Sequence, residues 1–531
     1  MWAPPRTRSG ARVGADAALA VVALMLAATV ALLAAPLHQL ARVLPVEDGF
    51  YTLSVARELG SGHGITVDGV TATNGFQPLW GFLVAPFAAL AGGGRAGTLR
   101  WALVLGTVLW LAFVPLAAAL ARERARRAGL HGDLAAALAA IVVAGSVSFL
   151  RIFHNVLETG LLLVLLAAAV LVLDRVGRWT PARALGVGVL LAAVAWARLD
   201  AVAFVAAAGA AAAWRARRRG ERLALPLAAC ALAGLLLVPW LVRNLSLDGH
   251  VVPTSGRAEA PGAFAWTVNA DAVLRALGAW SLVPAFHPSM HAFTQPWSEL
   301  VAAAGVALSA AAAVWLRGRP AHGAPGPGTV ALGGYCAFLA VYYTFGSGAW
   351  WFADRYLAPF ALLAVPWLAA AAEGLVPAAR RRTAPVAAAA LVVALNAPLV
   401  GVLIVAPTPQ PESWASELSN LATHPNLNYD QAAWTLAHVR PDCRVGAFES
   451  GTLGYFRDRV TNLDGKMDSA ALAAREAHRT PAYVRAHGIQ VLVDIASGIH
   501  RAAPDRANWR VVADFARFHA WVRRGAEGCV R

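Results

Sequence analysis

The chain has 531 residues, of which 58% are hydrophobic and only 14% charged. A soluble domain carries roughly 25% charged residues, so an ordinary soluble globular protein of this length is excluded. The formal net charge of +15 does not point to nucleic acid, because the arginines cluster between apolar segments, where they act as topology signals. The single lysine, Lys466, and the excess of alanine read as GC-rich coding.

Apolar stretches of about 18 or more residues with almost no charge read as membrane helices, and about eleven are expected here. They cover 17–39, 98–119, 133–150, 158–175, 183–199, 201–214, 223–242, 298–316, 329–346, 356–376 and 384–406. The first is long and lacks a small-residue cleavage site, so it reads as an uncleaved span. The loops alternate in charge. Loops 122–127 (RERARR), 175–183, 215–222 (RARRRGER), 317–319 and 380–382 (RRR) form one set with Arg6, Arg8 and Arg12. The positive-inside rule makes this set, and the N-terminus, cytoplasmic. Loops 40–97 and 243–297, those near 151–157 and 347–355, and the tail fall outside. The expected location is therefore the cell (plasma or inner) membrane. Pro78–Gly92 would invert this scheme if it crossed. It is short and holds two prolines, so it reads as a helix in the outer interface with Trp80 at headgroup level.

In the first outer loop, Glu47 and Asp48 stand just past the first span. Phe50, Leu53, Ala56 and Leu59 recur at helical spacing, and Gly60 and Gly62 end the pattern. Asp48 is the expected N-cap, and the helix N-terminus favours ionised carboxylates. A hairpin around Asp68-Gly69 follows, and Asn74 and Gln77 lead into the interfacial helix. An isolated acidic pair is often a solvated cap. At the membrane boundary, however, a carboxylate can deprotonate an acceptor hydroxyl or hold a divalent cation.

Charged residues at span edges are costly and are candidates for function. On the same expected face lie Glu158, Arg198, Asp200, Arg243 and Asp354-Arg355-Tyr356. Their plainer readings are a helix-start acid, a local ion pair and interfacial anchors. An arginine there can also grip a lipid phosphate through paired hydrogen bonds. His63 and His154 share this face and read as polar loop residues. Trp266, Trp280, His287, His291 and Trp297 in the second long loop suit interfacial packing or stacking on sugar rings.

The composition changes at Pro407, Pro409 and Pro411, a linker that divides a membrane domain (1–406) from a tail domain (407–531). Residues 412–440 are helical in places. Residues 443–456 read as strand, turn and helix start, and 489–495 as a buried strand. Residues 509–515 and 519–524 add two more strands, giving a small α/β domain. Cys230 and Cys336 lie within spans. Cys443 and Cys529 lie in the tail, where disulfides form, and are expected to pair. No ligand spacing for zinc appears.

The acidic pair, the helix after it and the second juxtamembrane helix resemble the first outer loop of the GT-C glycosyltransferases. That group includes the protein O-mannosyltransferases, the lipid A aminoarabinose transferases and the mycobacterial arabinofuranosyltransferases. Asn155–Gly160 (NVLETG), Ala197–Ala201 (ARLDA) and Asp354–Pro359 (DRYLAP) are similar to short elements of the arabinosyl branch. The chain departs from the pattern with Glu-Asp in place of Asp-Asp or Asp-Glu, and with Gln77 where relatives often carry histidine. The resemblance implies an all-α membrane bundle with a small C-terminal α/β domain. It implies transfer of a sugar from a polyprenyl-phosphate donor to an extracytoplasmic glycan, lipid or protein, with inversion. Glu47 or Asp48 is then the base, and Arg355, with Arg198 or Arg243, the phosphate ligand. Tyr356, Asn74 and Gln77 assist in substrate binding, and Glu158, Asp200 and Asp354 are supporting acids. A divalent cation (Mg, Mn or Ca) on Glu47, Asp48 and Glu158 is a further expectation.

Two other classes compete. A transporter or flippase for a lipid-linked glycan predicts internal repeats and polar residues at the midplane, and neither is visible. A non-catalytic cell-envelope assembly protein would use the tail as its scaffold. A transferase predicts one outward cavity lined by Glu47, Asp48, Glu158 and Arg355.

Overall fold

A computed structural model describes residues 8–259, 266–282, 297–319, 325–348, 353–405, 426–504 and 506–531. The proline linker, His287 and His291 lie outside the described residues, as does the side chain of Trp297.

Each of the eleven expected stretches is helical. Among the described residues, eight helices are long and apolar enough to cross a membrane by length and composition. A further pair, Asp133–Gly145 and Val147–His154, is bent by 61° at Ser146. The break is satisfied locally: the Ser146 hydroxyl accepts from the Ser148 N–H, and Asn396 accepts from the Val147 N–H at 2.9 Å. Such side-chain rescue is what allows a helix to break inside an apolar bundle. Thr159–Arg175 and Pro181–Ala197 are shorter, at 17 residues each.

The arginine-rich loops gather at one end of the bundle. Arg124 and Arg127 both reach Asp174, Arg215 donates to the Asp174 carbonyl, and Arg319 donates to the Ala128 carbonyl. The tail domain packs on the other end. Arg95, at the start of the Arg95–Arg127 helix, donates to the Tyr455 carbonyl and pairs with Asp458. Pro78–Leu90 both begins and ends on this tail side: Trp80 donates to the Val156 carbonyl, and Ala85, Ala88 and Ala89 pack against Gly60.

The tail is built on five strands: β1 (Val445–Ala447), β2 (Val460–Asn462), β3 (Val491–Ile495), β4 (Trp509–Phe515) and β5 (Phe518–Arg523). Their order is β2-β1-β3-β5-β4. β1 is parallel to β2 and β3, and β5 is antiparallel to β3 and β4. Helices such as Asn428–His438 and Gly451–Phe456 complete it. Cys443 and Cys529 form a disulfide with their Cα atoms 5.8 Å apart. β2 was not expected from the sequence: its three residues are too few to show a period.

Candidate functional site

The Glu47–Gly60 helix carries both acids in its first turn. Its N-cap is Val46 and makes no side-chain cap bond, so Asp48 is not the cap the sequence suggested. Both carboxylates are drawn away to partners far along the chain.

Glu47 reaches across to the tail. One oxygen accepts the Gly451 N–H at 2.5 Å, and the other accepts the Thr452 N–H at 3.0 Å and the Thr452 hydroxyl. Asn426 donates to the same hydroxyl oxygen at 2.9 Å, which leaves the hydroxyl proton for Glu47. Gly451 is required here, since a Cβ would lie 2.4 Å from the Glu47 carbonyl oxygen. Burial, with the charge of Glu449 beside it, pushes the Glu47 carboxyl up to about 7 despite the Thr452 bonds. A carboxylate with that affinity is poised for proton transfer near neutral pH.

Asp48 accepts from Arg355 at 3.1 Å and from Lys466 at 3.2 Å. Burial opposes its charge, but Lys466 and Arg355 outweigh burial and hold it below its ordinary value. Asp48 is therefore a counter-ion and a poor base. Lys466 also lies 2.7 Å from Glu259 and 4.0 Å from Asp464.

Arg355 continues the network. It donates to the Tyr356 hydroxyl at 2.8 Å, and its guanidinium lies 4.7 Å from the Tyr356 ring centre. The Arg198 guanidinium lies 4.9 Å from the same ring, which stacks on Tyr343 at 4.2 Å. Two cations thus share one aromatic ring. Arg198 bonds Asp200 and the Tyr343 hydroxyl, and approaches Glu158 at 3.9 Å. Tyr335 and Tyr343 donate to Asp200 at 3.0 and 3.2 Å. Asp48, Glu158, Arg198, Asp200, Arg355 and Tyr356 are therefore one connected cluster, with Glu47 adjoining it.

Glu158 is held by a strained turn. Val156 adopts φ 57°, a left-handed conformation that a β-branched residue takes only under constraint. The constraint comes from the acidic helix. The Val46 N–H donates to the Asn155 carbonyl, and a Cβ on Gly49 would sit 2.5 Å from the Val156 side chain.

Other candidates stand apart. Arg243 contacts the Ile65 carbonyl at 3.5 Å and lies over Trp240, and no described contact joins it to the cluster. Asn74 is a tie between the two long loops, its Oδ1 accepting from the Thr254 N–H at 3.0 Å and lying 3.0 Å from the Thr254 hydroxyl oxygen. Gln77 precedes the Pro78–Leu90 helix, and its buried Oε1 has no partner among the described residues. The Asp354 carbonyl accepts from Trp280 at 2.7 Å. His63 pairs with Glu58, and His154 is buried between Thr107 and the Leu150 carbonyl.

The expected cation set does not fit. Among the described residues no group of three or more His, Cys, Asp or Glu is arranged to hold a metal ion. Glu47 is bound by N–H and O–H donors, Asp48 by two cations, and Glu158 faces Arg198. A 720 Å³ cavity runs between the first loop and the tail. It is lined by Tyr51, Arg57, His63, Ser450, Gly451 and Tyr483 among others, and not by Glu47, Asp48, Glu158 or Arg355. It adjoins Glu47 through Gly451, whose N–H that carboxylate accepts.

A comparison with solved structures matches ArnT from Cupriavidus metallidurans in its apo state, with a TM-score of 0.54 at 15% identity over 95% of this chain and 97% of that one. The same protein bound to undecaprenyl phosphate gives 0.53 at 14% identity, over 94% and 97%. The chain has the GT-C fold. A weaker likeness, with a TM-score of 0.48 at 12% identity, is to the oligosaccharyltransferase AglB from Archaeoglobus fulgidus, over 90% of this chain and 69% of that one. A domain of unknown function, DUF8728, matches residues 419–530. A comparison with curated proteins finds no match.

Within this GT-C fold the tail supplies part of the ionic cluster, which sequence reasoning missed. Lys466, Glu259 and Thr452 were not singled out. For Lys466 a signal existed: it is the only lysine among 45 Lys and Arg residues. The coding-bias reading explains the arginines but not the exception.

Proposed function

We propose that the protein is a membrane glycosyltransferase. It moves a sugar from a polyprenyl-phosphate donor to an acceptor hydroxyl on the outer side of the membrane, with inversion. The arginine-rich loops face the cytoplasm, and the tail faces outward. The observation that carries this reading is the pairing of opposite roles on adjacent residues. Glu47 has a carboxyl raised to about 7 and donors that orient it, whereas Asp48 is held ionised by Arg355 and Lys466. The GT-C fold and the undecaprenyl phosphate bound by ArnT add support.

In this mechanism the acceptor enters through the cavity between the first loop and the tail. Glu47 removes the proton of the acceptor hydroxyl as its oxygen attacks the anomeric carbon. The bond from that carbon to the phosphate oxygen breaks, and the electron pair leaves with the phosphate. Arg355 and Arg198 balance the phosphate charge, held at one distance by the shared Tyr356 ring. The reading is tested with the purified chain and a panel of polyprenyl-phosphate pentoses and hexoses, measuring released polyprenyl phosphate. One donor class should be consumed, and Glu47→Gln should stop it. Full turnover by Glu47→Gln, or no donor bound at all, would overturn it.

A further inference from the structure

We infer that Lys466 is a ligand for the lipid phosphate, and that Glu259 holds it at rest in the place the phosphate takes. This rests on the transferase reading and adds a cation from outside the membrane bundle.

The loop that carries Lys466 is built into the site by its backbone. The Lys466 carbonyl accepts from the Thr254 hydroxyl at 2.7 Å. A Cβ on Gly75 would meet that carbonyl oxygen at 1.8 Å, so only glycine allows the approach. The first loop, the second loop and the tail meet around one peptide group. The ammonium is thereby placed beside Arg355, since the two cations take the two oxygens of Asp48.

Glu259 differs from Asp48 in this arrangement. Asp48 has two cationic partners, whereas the Glu259 carboxylate makes one described contact, to Lys466 at 2.7 Å. The side chains of Lys466 and Glu259 are 17% and 18% exposed, so an anion can reach them. A singly charged carboxylate is a fit substitute for a phosphodiester. When the bond to the sugar breaks, the phosphate gains a further negative charge, and a mobile ammonium point charge can follow it where a rigid guanidinium fork cannot. The exchange of Glu259 for phosphate at Lys466 is thus favoured most in the product-like state.

The test is binding of undecaprenyl phosphate, undecaprenol and inorganic phosphate to the full chain in nanodiscs, with thermal unfolding measured alongside. Lys466→Met should weaken undecaprenyl phosphate binding by about tenfold or more and leave undecaprenol binding unchanged. Glu259→Gln should tighten undecaprenyl phosphate binding several-fold. Inorganic phosphate should compete only weakly, since the lipid chain supplies the rest of the affinity. Unchanged binding by Lys466→Met overturns the inference alone. If Lys466→Met does not fold, Glu259→Gln decides, and unchanged binding there overturns it. If the unaltered chain binds undecaprenyl phosphate no better than undecaprenol, the transferase reading fails as well.

Discussion

Two buried ionic clusters sit at opposite ends of the bundle, and they differ in what surrounds them. At the arginine end Asp174 accepts from Arg124 at 3.3 Å, from the Thr329 N–H at 3.1 Å and from its hydroxyl at 2.5 Å, with Arg127 at 3.8 Å. A Cβ on Gly326 would touch its carboxylate at 2.2 Å. The neighbouring cavity is 30 Å³, about the volume of one water. At the tail end Arg198, Arg355 and Lys466 come from three distant stretches and face five carboxylates, with two tyrosines between them. A 720 Å³ cavity adjoins Glu47 there. The first cluster is a sealed clamp between neighbouring helices. The second has charges that can exchange partners, beside space for a substrate. Burial and charge are common to both; accessible volume and aromatic surface separate them.

The largest effect expected is on rate. Glu47→Gln should lower turnover by about 10²–10⁴ if the residue acts by proton transfer, while Asp174→Asn should leave the rate of folded protein unchanged. Equal losses in both variants would erase the contrast. Next is the tail. Cys443 and Cys529 close a loop with a separation of 86 residues. Replacing both with serine should destabilise the tail by about 4–5 kcal/mol in the chain-entropy model, read by urea unfolding or proteolysis. Asp174→Ala should destabilise the bundle by about 3–5 kcal/mol, since it leaves Arg124 buried and uncompensated. A thermal midpoint that did not move would show that water already reaches this clamp.

Legibility followed the same division. The bundle was readable because apolar length and arginine placement are local properties of the chain. Four of the five tail strands and the disulfide were readable from apolar runs and from two cysteines sharing the tail. The acids of the site were visible because carboxylates at a membrane edge are costly. Their partners were not. Gly451 and Lys466 lie some four hundred residues from Glu47 and Asp48, and no local pattern encodes a contact of that range. The N-cap expectation for Asp48 failed for the same reason: a local hydrogen bond lost to two distant cations.

Acid titration sharpens the contrast further. The Glu47 carboxyl rises from 4.5 to about 7, so as a base it is ionised only above that value. The rate should climb with pH toward about 7 and then level, and Glu47→Gln should abolish this limb. Stability runs the other way. Folded Glu47 holds its proton more tightly than the unfolded chain does, so its contribution falls as pH rises from 4.5 to about 7. Asp48 has the opposite sign. Its value is depressed from 3.8, so its contribution is in place above that value and is lost as pH falls through the folded one. A rate profile flat from pH 5 to 8 would remove Glu47 from the role of base.

The smallest effect expected tests whether the tail-end cluster works as a binding site or merely as another clamp. Tyr356→Phe removes the hydroxyl that accepts from Arg355 at 2.8 Å but keeps the ring beneath both guanidiniums and its stack on Tyr343. One such hydrogen bond contributes about 0.5–1.5 kcal/mol. With the aromatic surface intact, both arginines keep their separation, and only the aim of Arg355 loosens. KM for the lipid-linked donor should rise by less than about tenfold, with kcat and the thermal midpoint nearly unchanged. Thr329→Val in the sealed clamp removes a hydroxyl of comparable worth, and its cost should appear only in the thermal midpoint. If Tyr356→Phe instead lowers the midpoint and leaves KM alone, the two clusters are alike, and the phosphate role of Arg355 falls with the difference between them.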